Sequence, residues 1–269
     1  MKITIRHTLE VHQDNFAESA RMWSNLTKMY CYHPRSNYGD TLPNGGYPRS
    51  VEEVWNVVFD DLGIDMKVPS SEEEKATAIE KIEEVAYCDW LSIYDHSGVA
   101  LKRGELTGWD YSVIGLVYIK KEDMEKEFGE YDEAKAERIL AGEVAIYGQF
   151  ISGEVYCYNY EATAVLKIND NEVELGTIDE QSCCGFYGDR IRNSGIADDL
   201  FPVAPTGEER LAIINEFDAE VGYLIDGEWS IEREVVVEEL CAADNEFIAE
   251  SGNKIKEMLS SVKEALGCK

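Results

Sequence analysis

The sequence predicts an α+β fold, a mixed or antiparallel sheet with packed helices, followed by a helix-rich C-terminal segment. Three observations carry this expectation. Ser50/Glu53, Ser71/Glu74 and Thr206/Glu209 are Ser/Thr-x-x-Glu capping signatures, each ahead of a run with helical apolar spacing. Tyr156, Tyr158 and Tyr160 recur at the two-residue period of a strand. Short Gly-, Asn- and Asp-bearing breaks separate the two kinds of run.

In chain order, residues 1–7 read as a short strand and the rest of 1–50 as loop-rich, with turn chemistry from His33 to Asp40. A helix starts after Ser50, its inner face marked by Val51, Val54, Trp55, Val58 and Phe59. A second covers 72–87, with Ala76, Ile79, Ile82 and Ala86 inward and Glu72, Glu73, Glu80, Glu83 and Glu84 in water. Residues 88–120 read as strands and 121–150 as helix. A long strand over 154–168 turns at Asn169-Asp170-Asn171 into a hairpin with 172–178. Cys183-Cys184-Gly185-Phe186-Tyr187-Gly188 reads as a tight loop. Pro202 and Pro205 mark a junction, dividing a module over 1–200 from an appendage over 201–269. That appendage is expected to hold a helix to about 221, a hairpin over 223–231 and a final helix over 235–266.

The formal net charge is −29, yet 44% of residues are hydrophobic and 10% aromatic, so a core can be buried and the acidity does not mark a disordered chain. Glu outnumbers Asp two to one and Lys exceeds Arg, a pattern unlike the salt adaptation we would expect to favour Asp. The start lacks a leader pattern and no apolar run approaches about 20 residues, so a cytoplasmic, membrane-free protein is expected. Seven scattered cysteines are an odd number in a long chain, and reduced thiols are expected.

Acidity is spread along the chain. Residues 51–95 hold thirteen Asp/Glu against three Lys, and residues 201–269 hold sixteen against six Lys/Arg. Helices would display these carboxylates on exposed faces, where they would compete with nucleic acid for a basic groove. The candidate display is Glu72, Glu73, Glu80, Glu83, Glu84, Glu238 and Glu239. The implied partner is a protein or ribonucleoprotein with a basic groove. Basic patches with interleaved aromatics are absent, which argues against direct nucleic-acid binding. The C-terminal segment leaves a homodimer open.

Catalytic signals are weak. Tyr94-Asp95-His96-Ser97-Gly98 offers His96 as base or ligand beside Asp95, although its residue types suit a turn. Cys183 would need an activating base that its neighbours do not supply. A pocket reading would gather His33, Arg35, Asp40, His96 and Tyr187. Spacings among Cys31, His33, His96, Cys183 and Cys184 match no zinc pattern, so no metal and no cofactor is expected.

Several ordered runs bear a family likeness: Trp23-x-Asn25-Leu26, His33-x-Arg35-x-Asn37-x-Gly39-Asp40, Tyr94-Asp95-His96-Ser97-Gly98, Gly115-x-Val117-Tyr118, Gly153-Glu154-Val155-Tyr156 and Ser182-Cys183-x-Gly185-Phe186-Tyr187-Gly188. Over about residues 1–190 the chain resembles a family of bacteriophage and mobile-element accessory proteins with no established reaction. It departs from that pattern at Cys184, where an aromatic is expected, and in the segment after residue 200. The resemblance implies an anti-defence protein of a bacterial host cell, inhibiting a restriction or CRISPR-type complex by binding it as a DNA mimic. Two other classes stay open: a small-molecule-binding or hydrolase-like protein around His96, His33 and Cys183, and a structural interaction module.

Overall fold

The structure is a computed structural model that describes residues 2–106, 108–168, 171–243 and 246–265. Asn169, Asp170 and Leu266, which figure in the expected turn and last helix, lie outside the described residues. The fold is α+β, with two antiparallel four-stranded sheets. The chain divides into two compact units, one formed by Met1–Ala17 with Gly153–Lys269 and the other by Glu18–Ser152.

The first unit holds a sheet in the order β7 (Asn171–Tyr187), β6 (Val155–Ile168), β1 (Lys2–Gln13) and β8 (Gly227–Glu234). Strand β1 (Lys2–Gln13) is longer than the seven residues expected. It is flanked by β6 (Val155–Ile168) and by β8 (Gly227–Glu234), both antiparallel. Alternation sorts its side chains. Ile5, His7, Leu9 and Val11 face a core, while Arg6, Thr8 and Glu10 face out. Tyr158, Tyr160, Ala162 and Ala164 join the same core, closed by Ile213, Ile214 and Phe217 of α7 (Gly207–Val221) and Ile255 of α9 (Glu246–Ala265).

Residues 201–269 therefore contribute a sheet strand and core helices to the same unit as β1, and the boundary expected near residue 200 falls inside it. The hairpin expected over 223–231 is corrected likewise: its second arm is β8, and β8 pairs with β1. The expected final helix is two, α8 (Val237–Cys241) and α9.

Strand β7 (Asn171–Tyr187) runs far past residue 178, so Cys183 to Tyr187 is strand paired to β6 and not a loop. The register shifts between Tyr156 and Tyr158, and Gly185 takes φ +87°, the left-handed conformation that suits the extra residue of a bulge. Across this bulge Cys157 and Cys184 form a disulfide, which corrects the expectation of reduced thiols throughout. Cys31, Cys88, Cys183 and Cys241 are unbridged among the described residues. Two short helices, α5 (Ile191–Ser194) and α6 (Ile196–Asp199), follow β7.

The second unit is built on a sheet of order β2-β5-β3-β4: β2 (Lys28–Cys31), β3 (Ala86–Asp95), β4 (Val99–Arg103) and β5 (Tyr111–Lys120). Both faces are covered, which explains the unbroken apolar run Val113–Ile119. Val117 and Ile119 pack with Leu140, Val144 and Tyr147 of α4 (Glu133–Ser152) and Met124 of α3 (Lys121–Phe128). Leu116 and Tyr118 face Val54, Trp55, Val58 and Phe59 of α1 (Val51–Leu62) and Ala78 and Ile82 of α2 (Glu72–Val85). The helix expected over 121–150 breaks at Gly129, whose φ of +85° ends α3. Ala76 is exposed and Ala78 buried in α2, while Val51 of α1 is 55% exposed.

The three N-caps form as expected at Ser50, Ser71 and Thr206. The return bond differs. Glu209 closes a reciprocal box onto the Thr206 N–H, whereas Glu53 and Glu74 accept from the residue before the cap, Arg49 and Ser70. No helix among the described residues is long and apolar enough to cross a membrane.

Candidate functional site

In the second unit, two of the anticipated pocket residues, His33 and Arg35, meet Asp95, which the sequence offered as a neighbour of His96. The β3–β4 hairpin, turning through residues 96–98, ends β3 at Asp95. Asp95 Oδ2 accepts from Arg35 Nη2 at 2.5 Å and lies 3.4 Å from His33 Nε2. The His33 side chain is nearly buried against Tyr38, with ring centroids 5.5 Å apart, whereas Arg35 is 72% exposed. A carboxylate that orients an imidazole is half of a general-base arrangement. His96 stands in the turn, 72% exposed, with Nδ1 3.8 Å from Asp110 Oδ1. It therefore lies beside the cluster in the chain but faces a different carboxylate.

Asp40 has another role. Arg21 Nε and Nη2 donate to its two oxygens at 2.8 and 2.9 Å, and Met29 N–H donates to Oδ2 at 2.8 Å. Arg21 also reaches Thr27, whose hydroxyl, together with the Leu26 and Thr27 N–H groups, donates to Glu143. This buried network pins the 20–40 loops onto α4 and engages both Asp40 oxygens inside the unit. Cys183 and Tyr187 belong to the first unit. The second unit's large groove, about 840 Å³, is lined elsewhere, by Tyr47, Arg49, Glu53, Asn56, Asp60 and Asp61 among others.

The expected acidic helix face is present in part. Glu72, Glu73, Glu80, Glu83 and Glu84 of α2 are all exposed, but Lys75 pairs with Glu72 and Lys81 with Glu84, each at 2.6 Å. Glu238 and Glu239 are exposed on the single turn of α8.

A denser acidic surface lies on the open face of the first unit's sheet. Glu10, Glu161, Glu174, Glu180 and Glu228 surround a depression of about 340 Å³. Strand pairing sets their spacing: Glu10 stands opposite Glu228 on β8 and Asn159 on β6, and Thr8 opposite Glu161. Neighbouring strands lie about 4.8 Å apart, so the carboxylates form a rigid two-dimensional array. Hydroxyls of Thr163 and Thr177 donate to Glu161 Oε1, and Asn159 donates to Glu10. Arg6 and Lys167 clamp Glu172 and Glu232 at one end. Hydrogen bonds from Lys167 hold both carboxyl pKa values below the usual glutamate value, so these groups stay charged.

The sequence reading missed this face because its glutamates are far apart in the chain. The signal was the polar series Thr8, Glu10 and Asn159, Glu161, Thr163, alternating with core residues. His7 was missed too. It is fully buried, its Nδ1 lies 2.7 Å from the Tyr160 hydroxyl, and its Nε2 has no partner among the described residues. Burial, and then Arg233, push its pKa down to about 4.

No protein-family model matches the chain, and no curated protein or solved structure matches it either.

Proposed function

We propose that this is a non-enzymatic, acidic binding protein whose carboxylate faces occupy the basic groove of a nucleic-acid-directed protein or ribonucleoprotein. The observation that supports this reading best is the open sheet face, where Glu10, Glu161, Glu174, Glu180 and Glu228 project from paired strands. A sheet surface holds charges without the entropy loss that a flexible acidic tail pays on binding. The net charge of −29 would steer association and make it fast and salt-sensitive. The resemblance to bacteriophage accessory proteins points to restriction or CRISPR-type complexes of a bacterial cytoplasm as the partners to try first. The exposed glutamates of α2 and α8 form a secondary display on the same reading.

The test is displacement of a labelled DNA duplex from purified restriction nucleases and CRISPR effector complexes across a salt series. Displacement should weaken as salt rises, and Glu→Gln changes at Glu10, Glu161, Glu174, Glu180 and Glu228 should weaken it further. Displacement that ignores both salt and those substitutions, or no displacement from any basic-groove complex, would sink the reading.

A further inference from the structure

The disulfide stands at one end of the open sheet face, beside a third potential ligand. Asp14, Cys157 and Cys184 place one carboxylate oxygen and two sulfurs within 4.8 Å of one another. Each position is fixed by the fold. The Asp14 N–H donates to the Val155 carbonyl at 2.8 Å, and its Oδ1 accepts from Phe16 N–H at 3.0 Å, which anchors the carboxylate as β1 ends. Cys157 lies on β6, opposite His12 of β1. Directly opposed residues of antiparallel strands share a face, so His12 borders the same site. Cys184 comes from β7 across the bulge. Cys183, its neighbour, is opposite Tyr158, a core residue, and alternation directs it to the other face.

From this geometry we infer that the reduced form of the chain binds a thiophilic divalent cation, with zinc as the model ion, through Asp14, Cys157 and Cys184. A dithiol reductant cleaves the Cys157–Cys184 bond and is itself oxidised to a disulfide, leaving two thiols. The cation then displaces one proton from each thiol, giving two thiolate–metal bonds and one carboxylate–metal bond. Two thiolates and a carboxylate are ligand types zinc accepts, at about 2.3 Å for sulfur and about 2.0–2.2 Å for oxygen. After reduction the two sulfurs part to about 3.8 Å, the edge that two Zn–S bonds of about 2.3 Å subtend at a tetrahedral centre, and the carboxylate oxygen, already within 4.8 Å of both, completes the ligand set. Water completes four-coordination. Oxidation removes both thiolates at once, so disulfide and metal exclude each other. The cytoplasm proposed above is a reducing compartment, where the dithiol form would prevail, although the site itself rests only on the three ligands.

The experiment compares the full chain in oxidised form with the chain reduced by dithiothreitol and desalted without oxygen. Zinc is titrated against a chromophoric chelator, and cobalt(II) is substituted to read thiolate-to-metal charge transfer. The expected result is one tightly held zinc and a thiolate–cobalt band in the reduced chain only. Cys157→Ser and Cys184→Ser should abolish both, and Cys183→Ser should change neither. Asp14→Asn should weaken zinc at least about tenfold, the smallest loss usual even for groups one step removed from a metal. Circular dichroism without metal verifies that each variant folds. Reduced wild type holding no more zinc than the reduced Cys157→Ser/Cys184→Ser double variant would overturn the inference. So would a Cys183→Ser change that abolishes binding, or an Asp14→Asn change that leaves affinity untouched.

Discussion

Arg21 grips Asp40 with two guanidinium nitrogens, Nε on Oδ1 at 2.8 Å and Nη2 on Oδ2 at 2.9 Å, with only 5% and 16% of the two side chains exposed. Removing one member of a buried ion pair leaves the other charge desolvated and unpaired, which costs about 3–5 kcal/mol. Arg21→Ala should lose that much in urea unfolding, since it strands Asp40 and also deprives Glu143 of its cation. A loss under about 1 kcal/mol would show that the network is hydrated and contributes little.

Of the side chains that tie this network together, only Asp40 stood in a run that the sequence singles out, and its role was not legible there. His33-x-Arg35-x-Asn37-x-Gly39-Asp40 looked like one polar site. The fold splits it: His33 and Arg35 turn to Asp95, and Asp40 turns to Arg21. Helices were legible because caps and apolar spacing are local, as at Ser50, Ser71 and Thr206. Pairing between β1 and β8 joins positions more than two hundred residues apart, and nothing local encodes it. The disulfide was hidden for the same reason, since Cys157 and Cys184 meet only through the β6–β7 register.

His7 gives the fold an acid-sensitive spot. Its pKa is lowered to about 4 in the fold from 6.5 unfolded, so the unfolded chain takes up this proton first. Stability attached to His7 is complete above about pH 6.5, falls as pH drops from there, and is fully lost below about pH 4. The shift corresponds to roughly 3 kcal/mol. Tyr160 and Arg233 are the titratable and charged neighbours that face it. Unfolding free energies measured from pH 4 to 7 should rise less steeply for His7→Phe than for the native chain. Parallel curves would mean that His7 takes up its proton in the fold at the same pH as in the unfolded chain.

Reduction should destabilise the first unit. The bridge closes a span of 27 residues, for which the chain-entropy model gives about 3.5 kcal/mol. Thermal unfolding of metal-free protein should shift downward on adding dithiothreitol, and the shift should vanish in Cys157→Ser. A reductant effect that persists in Cys157→Ser would place its origin elsewhere.

Gly115 sits where two strands approach too closely for any side chain. A Cβ there would stand 2.0 Å from the Tyr30 carbonyl oxygen and 2.9 Å from the Cys31 Cα, both on β2. Gly115→Ala must push β2 off the sheet edge, at a cost of about 1–3 kcal/mol or more in chemical unfolding. Gly98→Ala meets nothing within 4 Å and should change stability by less than about 0.5 kcal/mol. Equal effects at the two positions would contradict the strand spacing.

Strands from before and after residues Glu18–Ser152 are woven into one sheet, while that segment of the sequence forms a unit of its own. On the ribosome, β1 emerges before its partners and must wait for β6, and for β8 more than two hundred residues later, before both its edges are satisfied. The inserted unit has all its strands in hand by Lys120 and its last helix by Ser152, so it can fold while β1 is still unpaired. During that interval β1 presents a bare edge, and the first unit is the part of the molecule whose assembly a nascent-chain truncation before Gly227 would leave open.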